Sequence, residues 1–305
     1  MQKFVIATRG SQLALWQARH IQERLHKLAG IQVELSIIKT RGDIIQDVPL
    51  AQVGGKGLFV KEIEEALLSG AADLAVHSMK DVPMVLPEGL ILGAVPERED
   101  PADLLLSVSC ASLNDVPKGA RVGTCSLRRQ AQILSLRPDL KVENLRGNVD
   151  TRLRKLREGQ YDAIVMAAAG MKRLGLDAPH MFRLEAPAFL PAVGQGALGI
   201  ECRSDRKDVL EALALLEHAP TRVCVEAERG FSQRLDGGCQ APIAAFARMN
   251  GNELAIDGLI ASLDGRQVLR ASRKAGLDNP RALGTALAED LLNNGGEALL
   301  ASILQ

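Results

Sequence analysis

Short apolar runs typical of β-strands alternate with amphipathic helical patterns as far as about residue 215, and this alternation restricts the possible folds more than any other feature. The predicted strands cover residues 3–7, 33–38, 73–78, 121–124, 142–145 and 162–167. The predicted helices between them cover residues 11–28, 58–68, 126–136 and 150–158. Such alternation predicts an α/β fold with parallel sheets and crossover helices.

The pattern changes after about residue 219. A predicted helix at residues 221–235 leads through Gly237 and Gly238 to Cys239. Three strand-like runs then precede two helices, and the runs cover residues 241–249, 253–262 and 267–275. This change predicts a separate, small α+β domain at the C-terminus.

A weak internal repeat predicts two similar lobes before that domain. Residues 69–76 (SGAADLAV) resemble residues 158–165 (EGQYDAIV), and proline-containing segments at 95–101 and 190–196 are candidate hinges. The predicted domains are lobe 1 at residues 1–96 and 197–215 with a long loop at 43–57, lobe 2 at residues 102–190, and the C-terminal domain at residues 219–305.

Composition excludes several classes of protein. No apolar run reaches the roughly 18–20 residues that span a bilayer. The N-terminus begins with a strand and not with a signal peptide, and the five cysteines lack C-x-x-C spacing, so we expect a cytoplasmic protein with reduced thiols. Aromatic content of 3% and a net charge of zero argue against nucleic-acid binding. The scattered histidines and cysteines predict no metal site.

Residues 121–157 are strongly basic although the whole chain is neutral. They hold eight arginines and two lysines against three acids. Guanidinium groups bind carboxylates and phosphates through two parallel hydrogen bonds, so the stretch predicts a binding site for a locally anionic ligand. A solvated basic helix face is the alternative.

In both lobes a strand leads into Thr and Ser at a helix start, at Thr8–Ser11 and Thr124–Ser126, where helix N-termini favour anions.

Three further motifs are ambiguous when each is taken alone. The glycine-rich residues 54–57 lack the frame of a phosphate-binding loop, and a mobile loop carrying Lys56 is the better interpretation. His77, Lys80 and Asp81 lie at a predicted strand end, where open α/β sheets bind ligands, although such residues are often structural. Cys239 follows two glycines, and it is either an approachable thiol or a small buried residue.

Together the motifs resemble the hydroxymethylbilane synthase (porphobilinogen deaminase) family. Nine segments occur in the order of the family and span nearly the whole chain. They are residues 7–18 (ATRGSQLALWQA), 40–43 (TRGD), 53–62 (VGGKGLFVKE), 75–83 (AVHSMKDVP), 97–101 (EREDP), 123–129 (GTCSLRR), 145–149 (LRGNV), 190–197 (LPAVGQGA) and 235–239 (LDGGC).

The resemblance implies a fold of two hinged lobes like those of periplasmic binding proteins, followed by the small C-terminal domain. It implies that Cys239 holds a dipyrromethane cofactor through a thioether bond and that Asp81 is the catalytic carboxylate. The cofactor-binding residues that it implies are Lys80, Thr124, Ser126, Arg128, Arg129 and Arg146, and the substrate-binding residues are Arg9, Ser11, Arg152, Arg173 and Lys56.

The reaction implied by the resemblance is a transfer. Four porphobilinogen molecules are deaminated and condensed head-to-tail onto the cofactor, which acts as a primer, and hydrolysis then releases hydroxymethylbilane. The enzyme is expected to act as a monomer, without a membrane, nucleic acid or metal. A non-catalytic two-lobed binding protein for a small dicarboxylate is the alternative, although it leaves Cys239 and the Lys80–Asp81 pair unexplained.

Overall fold

The computed structural model describes residues 3–40, 42, 60–235 and 241–304. The chain forms two compact units, one from Met1–Glu99 and Gly196–Arg222 and the other from Asp100–Gln195 and Val223–Gln305. The second unit contains both the predicted lobe 2 and most of the predicted C-terminal domain. The assignment of three domains stays a prediction.

Unit 1 is a five-stranded sheet with helices packed on it. Its strands are β1 (Lys3–Arg9), β2 (Gln32–Ile38), β3 (Leu74–Ser78), β4 (Leu90–Ala94) and β10 (Leu198–Arg203). Its helices are α1 (Gln12–Ala29), α2 (Lys61–Leu68) and α6 (Lys207–Ala214), and a 3₁₀ turn spans Met79–Asp81. One core lies between the sheet and α1 and α6, and a second lies under α2.

Unit 2 contains a second five-stranded sheet and a three-stranded sheet. The strands of the first are β5 (Asp103–Ser107), β6 (Arg121–Gly123), β7 (Lys141–Glu143), β8 (Ala163–Ala167) and β9 (His180–Leu184). Its helices are α3 (Leu127–Leu136), α4 (Val149–Arg157) and α5 (Ala168–Leu174). The antiparallel sheet has β11 (Ile243–Asn250), β12 (Glu253–Ala261) and β13 (Val268–Ala275).

Three helices complete the chain. Helix α7 (Ala219–Arg234) begins in unit 1 and continues into unit 2, and α8 (Pro280–Leu291) and α9 (Glu297–Leu304) follow the three-stranded sheet with a π-helical turn at Leu292–Gly296 between them. The predicted α/β fold class with a small C-terminal α+β portion is confirmed. Within the described ranges, no helix has the length and apolarity that a membrane span requires.

The two five-stranded sheets have the same topology. The first has the order β2-β1-β3-β10-β4 and the second the order β7-β6-β8-β5-β9. The first three strands of each order are parallel, whereas the fourth, β10 or β5, is antiparallel to both neighbours. The expected parallel pairing therefore holds for three strands of each sheet. Strands β5 and β10, which follow the points where the chain passes from one unit to the other, run in the opposite direction.

The weak sequence repeat corresponds to a repeated turn. In both lobes a helix, α2 or α4, ends two residues before a glycine with positive φ, and a short turn then leads into the central strand β3 or β8. The glycines are Gly70 with φ of 76° and Gly159 with φ of 72°, a conformation that side chains with a Cβ rarely adopt. The repeat therefore encodes a backbone geometry shared by the two lobes.

Helices α7 and α8 approach each other closely because two glycines lie at their crossing. A Cβ on Gly284 would lie 1.9 Å from the carbonyl oxygen of Ala227, and one on Gly230 would lie 2.3 Å from that of Arg281. This contact places α8 over the three-stranded sheet, where Leu287 and Phe231 are buried. Backbone atoms cannot rotate away as side chains do, so the crossing tolerates only glycine at these positions.

We expect Gly284→Ala to lower the free energy of unfolding by about 1–3 kcal/mol, because the added methyl group overlaps backbone. Thermal and urea unfolding measure the effect. Gly276→Ala is the matched control, since the nearest atom to a Cβ at Gly276 is a side-chain oxygen at 3.8 Å and its φ is not positive. Equal stability of the two variants would contradict this account of the helix crossing.

Candidate active site

Asp81 lies on a tight turn at the end of β3. The 3₁₀ turn Met79–Asp81 begins with the Met79 N–H donating to the Ala197 carbonyl at 3.0 Å and closes with the Val82 N–H donating to the Met79 carbonyl at 3.1 Å. Met79 and Val82 are buried, whereas Lys80 and Asp81 between them are exposed. The turn therefore presents a lysine and a carboxylate to the exterior of unit 1.

Side-chain contacts of β3 and β10 hold the turn in place. The buried Gln17 of α1 donates from Nε2 to Ser78 Oγ at 2.9 Å, which joins the helix to the last residue of β3. On β10, a Cβ at Gly199 would lie 2.9 Å from Met79 Cε and 3.4 Å from a Val82 methyl, so this glycine leaves space for both anchors. The base of the turn is consequently well packed although its tip is exposed.

Arg9 and Ser11 lie at the end of the neighbouring strand β1. Arg9 is the last residue of β1 and is half-buried. Ser11 caps α1, because its Oγ accepts from the Ala14 N–H at 3.3 Å, which leaves the hydroxyl hydrogen free to donate to an acceptor. Since β1 and β3 are parallel neighbours, these two residues and Lys80–Asp81 follow the same ends of adjacent strands.

A cluster of buried ionisable groups lies inside unit 1. His77 Nε2 of β3 is 3.0 Å from Glu201 Oε2 of β10, and both side chains are almost fully buried. Glu64 of α2 is also buried, and burial, together with repulsion from Glu201, raises the pKa of the Glu64 carboxyl. Within the described residues, Glu64 Oε1 and Glu201 Oε1 accept no hydrogen bond. Sequence motifs single out His77 but neither Glu64 nor Glu201.

In unit 2, Thr124 and Ser126 form the start of α3. The Thr124 N–H donates to the Glu143 carbonyl at 2.9 Å, and Thr124 Oγ1 accepts from the Ser126 N–H at 3.2 Å. Ser126 caps the helix by accepting from the Arg129 N–H at 3.4 Å. Both hydroxyl oxygens act as acceptors, so both hydroxyl hydrogens stay available for an anionic ligand.

Arg128 and Arg129 share one carboxylate, that of Asp103. Arg128 Nη1 donates to Asp103 Oδ2 at 2.7 Å, and Arg129 donates to Oδ1 from Nη2 at 2.7 Å and from Nε at 3.0 Å. Asp103 is 0% exposed, and the two arginines are 5% and 6% exposed. In the part of the chain that the structure describes, no second carboxylate bonds to either guanidinium, so this buried group carries one positive charge in excess.

The two guanidinium groups hold Asp103 ionised. Burial by itself raises the pKa of a carboxyl group, but the charges and hydrogen bonds of Arg128 and Arg129 outweigh it and lower the pKa of Asp103 from its usual 3.8 to about 2. The folded state therefore binds this proton less tightly than the unfolded chain does. The resulting stabilisation is complete above pH 3.8 and is lost as the pH falls toward about 2.

Arg152 of α4 extends the basic group. Its Nε donates to the Gly147 carbonyl at 2.8 Å, and its Nη2 lies 3.8 Å from the sulfur of Cys125. Burial lowers the pKa of Arg152, Cys125 opposes this change, and the positive charges of Arg129 and Arg146 lower the pKa further. Three predicted site arginines are thus close enough to repel one another, which favours binding of an anion.

The other residues predicted for the site lie either on α5 or outside the described residues. Arg173 is half-buried in the last turn of α5. Lys56 with its loop at 43–57 and Cys239 lie outside the described residues. The structure therefore groups Arg128, Arg129, Arg146 and Arg152 with Thr124 and Ser126 in unit 2, and Arg9, Ser11, Lys80 and Asp81 in unit 1. Among the described residues, no cluster of three or more metal-ligating side chains occurs.

The donor set of unit 2 fits a ligand with several carboxylates. Three features favour anionic oxygen atoms as ligands. They are the two hydroxyls at the start of α3, the surplus positive charge of the Arg128–Arg129–Asp103 group, and the partly buried guanidinium of Arg152. Asp103 and Gln195 are site residues that the sequence motifs did not predict, and Gln195 donates from Nε2 to Asp103 Oδ1 at 3.0 Å. The available signal was an aspartate opening the apolar run of β5, since a buried carboxylate needs a cationic partner.

Two family models match the chain. The model described as "Porphobilinogen deaminase, dipyromethane cofactor binding domain" matches residues 4–211. The model described as "Porphobilinogen deaminase, C-terminal domain" matches residues 222–293. Together they cover nearly all of the chain.

Curated relatives and solved structures are also similar to this chain. A protein named porphobilinogen deaminase from Nitratidesulfovibrio vulgaris (strain DP4) is 62% identical over 306 residues, covering 99% of this chain and 97% of the relative. One of the same name from Lawsonia intracellularis is 55% identical over 305 residues, covering 99% of each. A periplasmic binding protein of Salmonella typhimurium gives a TM-score of 0.42 at 13% identity, covering 71% of this chain and 92% of its own.

We expect Glu64→Gln to stabilise the protein increasingly as the pH rises. The unfolded carboxyl ionises near its ordinary pKa of 4.5, whereas the folded pKa is higher, so the wild type loses stability as the pH rises above 4.5 until that folded pKa is passed. Glutamine mimics the neutral acid and lacks this loss. Urea unfolding from about pH 4.5 to 7.5 measures the difference between variant and wild type.

Glu65→Gln is the matched control, because Glu65 is the next residue of the same helix and is exposed. Its difference from the wild type should stay nearly constant with pH. A Glu64→Gln difference that is flat, or that shrinks with rising pH, would show that burial of this carboxylate does not set its ionisation.

Proposed function

The chain belongs to the porphobilinogen deaminase family, and we propose that it works through Asp81 as catalytic carboxylate and through the arginines of unit 2 as carboxylate-binding groups. It is a transferase of tetrapyrrole biosynthesis that condenses porphobilinogen into hydroxymethylbilane. The observation that carries the residue assignment is the buried pair Arg128 and Arg129, which shares a single carboxylate and so has charge left for a ligand.

The family's dipyrromethane cofactor supplies the primer onto which the pyrrole rings are joined when it is bound. We propose Cys239 as its attachment point. The support comes from the sequence, since the thiol follows two glycines in the segment 235–239 that resembles the family. A thiolate is a strong nucleophile for forming a thioether.

Asp81 is proposed to stabilise positive charge on the substrate. Loss of ammonia from the aminomethyl group of porphobilinogen leaves the pyrrole ring cationic, and a carboxylate held in a fixed position lowers the energy of that charge. Asp81 is exposed on a turn that the buried residues Met79 and Val82 anchor, so it can reach a ligand without rearrangement of the backbone. The same carboxylate can accept pyrrole N–H hydrogen bonds and the proton that each condensation releases.

The arginines are proposed to bind the acetate and propionate groups that every pyrrole ring of the chain carries. Arg128, Arg129 and Arg146, with Lys80 and the hydroxyls of Thr124 and Ser126, are proposed for the cofactor, and Arg9, Ser11, Arg152, Arg173 and Lys56 for the substrate. The support in unit 2 is the concentration of guanidinium groups near two helix-start hydroxyls. Such donors recognise carboxylates through charge-assisted hydrogen bonds.

We further propose that the enzyme is cytoplasmic and monomeric. Cys110, Cys125, Cys202 and Cys224 are free thiols, which agrees with a reducing compartment. Monomeric state is the expectation from the family resemblance, and sedimentation of the purified protein tests it directly.

We expect Asp81→Asn to reduce kcat by about 10²–10⁴-fold while the covalent cofactor is retained, since the variant keeps the shape of the side chain and removes its charge and basicity. Steady-state kinetics and intact mass measure the two effects. Glu88→Gln removes another exposed carboxylate from the same loop region and should leave both unchanged. Near-normal turnover in Asp81→Asn would exclude the proposed role.

We expect purified wild-type protein to exceed its sequence mass by one dipyrromethane, and Cys239→Ser to lack this increment because serine is a much weaker nucleophile. Intact mass spectrometry gives the answer, and staining with Ehrlich's reagent provides an independent readout. Cys110→Ser changes a buried thiol elsewhere and should keep the increment. An active protein whose mass equals that of its sequence would refute covalent attachment.

A further inference from the structure

Asp103 connects four separate segments of unit 2. It begins β5, and through its arginine partners it is joined to α3, to β8 and to the segment around residue 190. Arg129 Nη1 donates to the Val165 carbonyl of β8 at 2.9 Å, and Arg128 Nη1 donates to the Leu190 carbonyl at 2.7 Å. Every one of these bonds depends on where the two guanidinium groups are held, and Asp103 is the anion that holds them.

Gln195 completes the network on the other side of the carboxylate. Its Nε2 lies 3.0 Å from Asp103 Oδ1 and 2.7 Å from the Pro101 carbonyl, so it joins the segment where the chain first enters unit 2 to the segment where it leaves. The aromatic ring of Phe189, which is buried, lies 6.0 Å from the guanidinium carbon of Arg128 and closes off one side. The arginines therefore cannot turn to other rotamers without breaking several bonds at once.

We propose that Asp103 is a positioning residue for carboxylate recognition: it fixes the Arg128 and Arg129 guanidinium groups in the orientation that binds a carboxylate substituent of the pyrrole chain. The inference rests on the proposed function of these arginines. Asp103 is fully buried and accepts bonds from both arginines and from Gln195, so its role is exerted through the arginines and not by contact with a ligand.

Two opposite effects of Asp103 on a ligand carboxylate can be separated. If Asp103 mainly orients the guanidinium groups, its loss weakens carboxylate binding, because flexible arginines must be ordered on each binding event. If Asp103 mainly competes with the ligand for the same charges, its loss strengthens binding. The four bonds at 2.7–3.0 Å that Asp103 accepts from Arg128, Arg129 and Gln195, together with its full burial, favour orientation.

The experiment compares Asp103→Asn with wild type and with Asp139→Asn. Asp139 accepts two bonds from Arg137, at 2.8 Å and 2.7 Å, and Arg137 follows the opposite end of the same helix α3. The control therefore removes an aspartate that is paired with an arginine, in the same lobe, outside the proposed site. The fraction of protein carrying the cofactor is read from intact mass, and KM and kcat for porphobilinogen are measured on the loaded fraction.

For Asp103→Asn we expect at least a tenfold fall in the loaded fraction or a tenfold rise in KM, with kcat of loaded enzyme changed less than threefold. A higher KM with nearly unchanged kcat indicates that the variant has lost binding energy equally for the substrate in the ground state and in the transition state. Asp139→Asn should stay within twofold of wild type in all three quantities. Wild-type loading and KM in Asp103→Asn, or a lower KM, would overturn the proposal.

Asp103→Asn leaves two buried positive charges without an anion, and the variant can fail to fold for that reason alone. In that case Gln195→Met is tested instead. It removes the bonds from Gln195 Nε2 to Asp103 and to the Pro101 and Ala102 carbonyls, and the 3.5 Å bond from Arg128 Nη2 to Gln195 Oε1, but it leaves both ion pairs in place. A folded Gln195→Met with at least a threefold rise in KM supports the proposal, and unchanged KM and loading overturn it. Wild-type protein without cofactor or turnover would instead refute the proposed function itself.

Discussion

The need to pair a buried carboxylate determines how unit 2 is assembled. Asp103 has no access to water, and an unpaired charge in that position would cost several kcal/mol. Arg128 and Arg129 can reach it only if α3 lies across the start of β5, and Gln195 can reach it only if residue 195 returns beside Pro101. Two arginines pair with one aspartate, so one positive charge remains. The ion pairs that order these segments therefore also supply the charge that is proposed to bind the carboxylates of the pyrrole rings.

The shared topology of the two five-stranded sheets explains where polar groups collect. In unit 1 the parallel strands β1 and β3 lead into Ser11 and into the turn of Lys80 and Asp81, and in unit 2 the strand β6 leads into Thr124 and Ser126. Loops that follow the carboxyl ends of parallel strands are free of the sheet's own hydrogen bonding, so they can carry ligand-binding residues. Serines cap the following helices in both units, which uses the hydroxyl oxygen and leaves its hydrogen for a ligand.

Local patterns in the sequence were sufficient for the three parallel strands of each five-stranded sheet and for the helices between them, because short apolar runs and helical periodicity are local features. They were insufficient for the antiparallel strands β5 and β10 and for the edge strands β4 and β9. The residues of β5 and β10 are almost all buried, so these two strands show no alternation of apolar and polar residues. The same limit applies to the site. Helix-start Thr124 and Ser126 were visible as a local motif, whereas His77 and Glu201 are 124 residues apart and Asp103 and Gln195 are 92 apart, so only folding reveals their pairing.

The exposure of Asp81 follows from the geometry of its turn. A 3₁₀ segment has about three residues per turn, so side chains three positions apart point the same way. Met79 and Val82 are such a pair and both are buried, which directs Lys80 and Asp81 outward. The backbone and two apolar anchors thus fix the carboxylate's position. The exposed carboxylate of Asp81 can therefore contact a substrate directly. The buried carboxylate of Asp103 is paired with Arg128 and Arg129, so it can affect a ligand only through the position of those arginines.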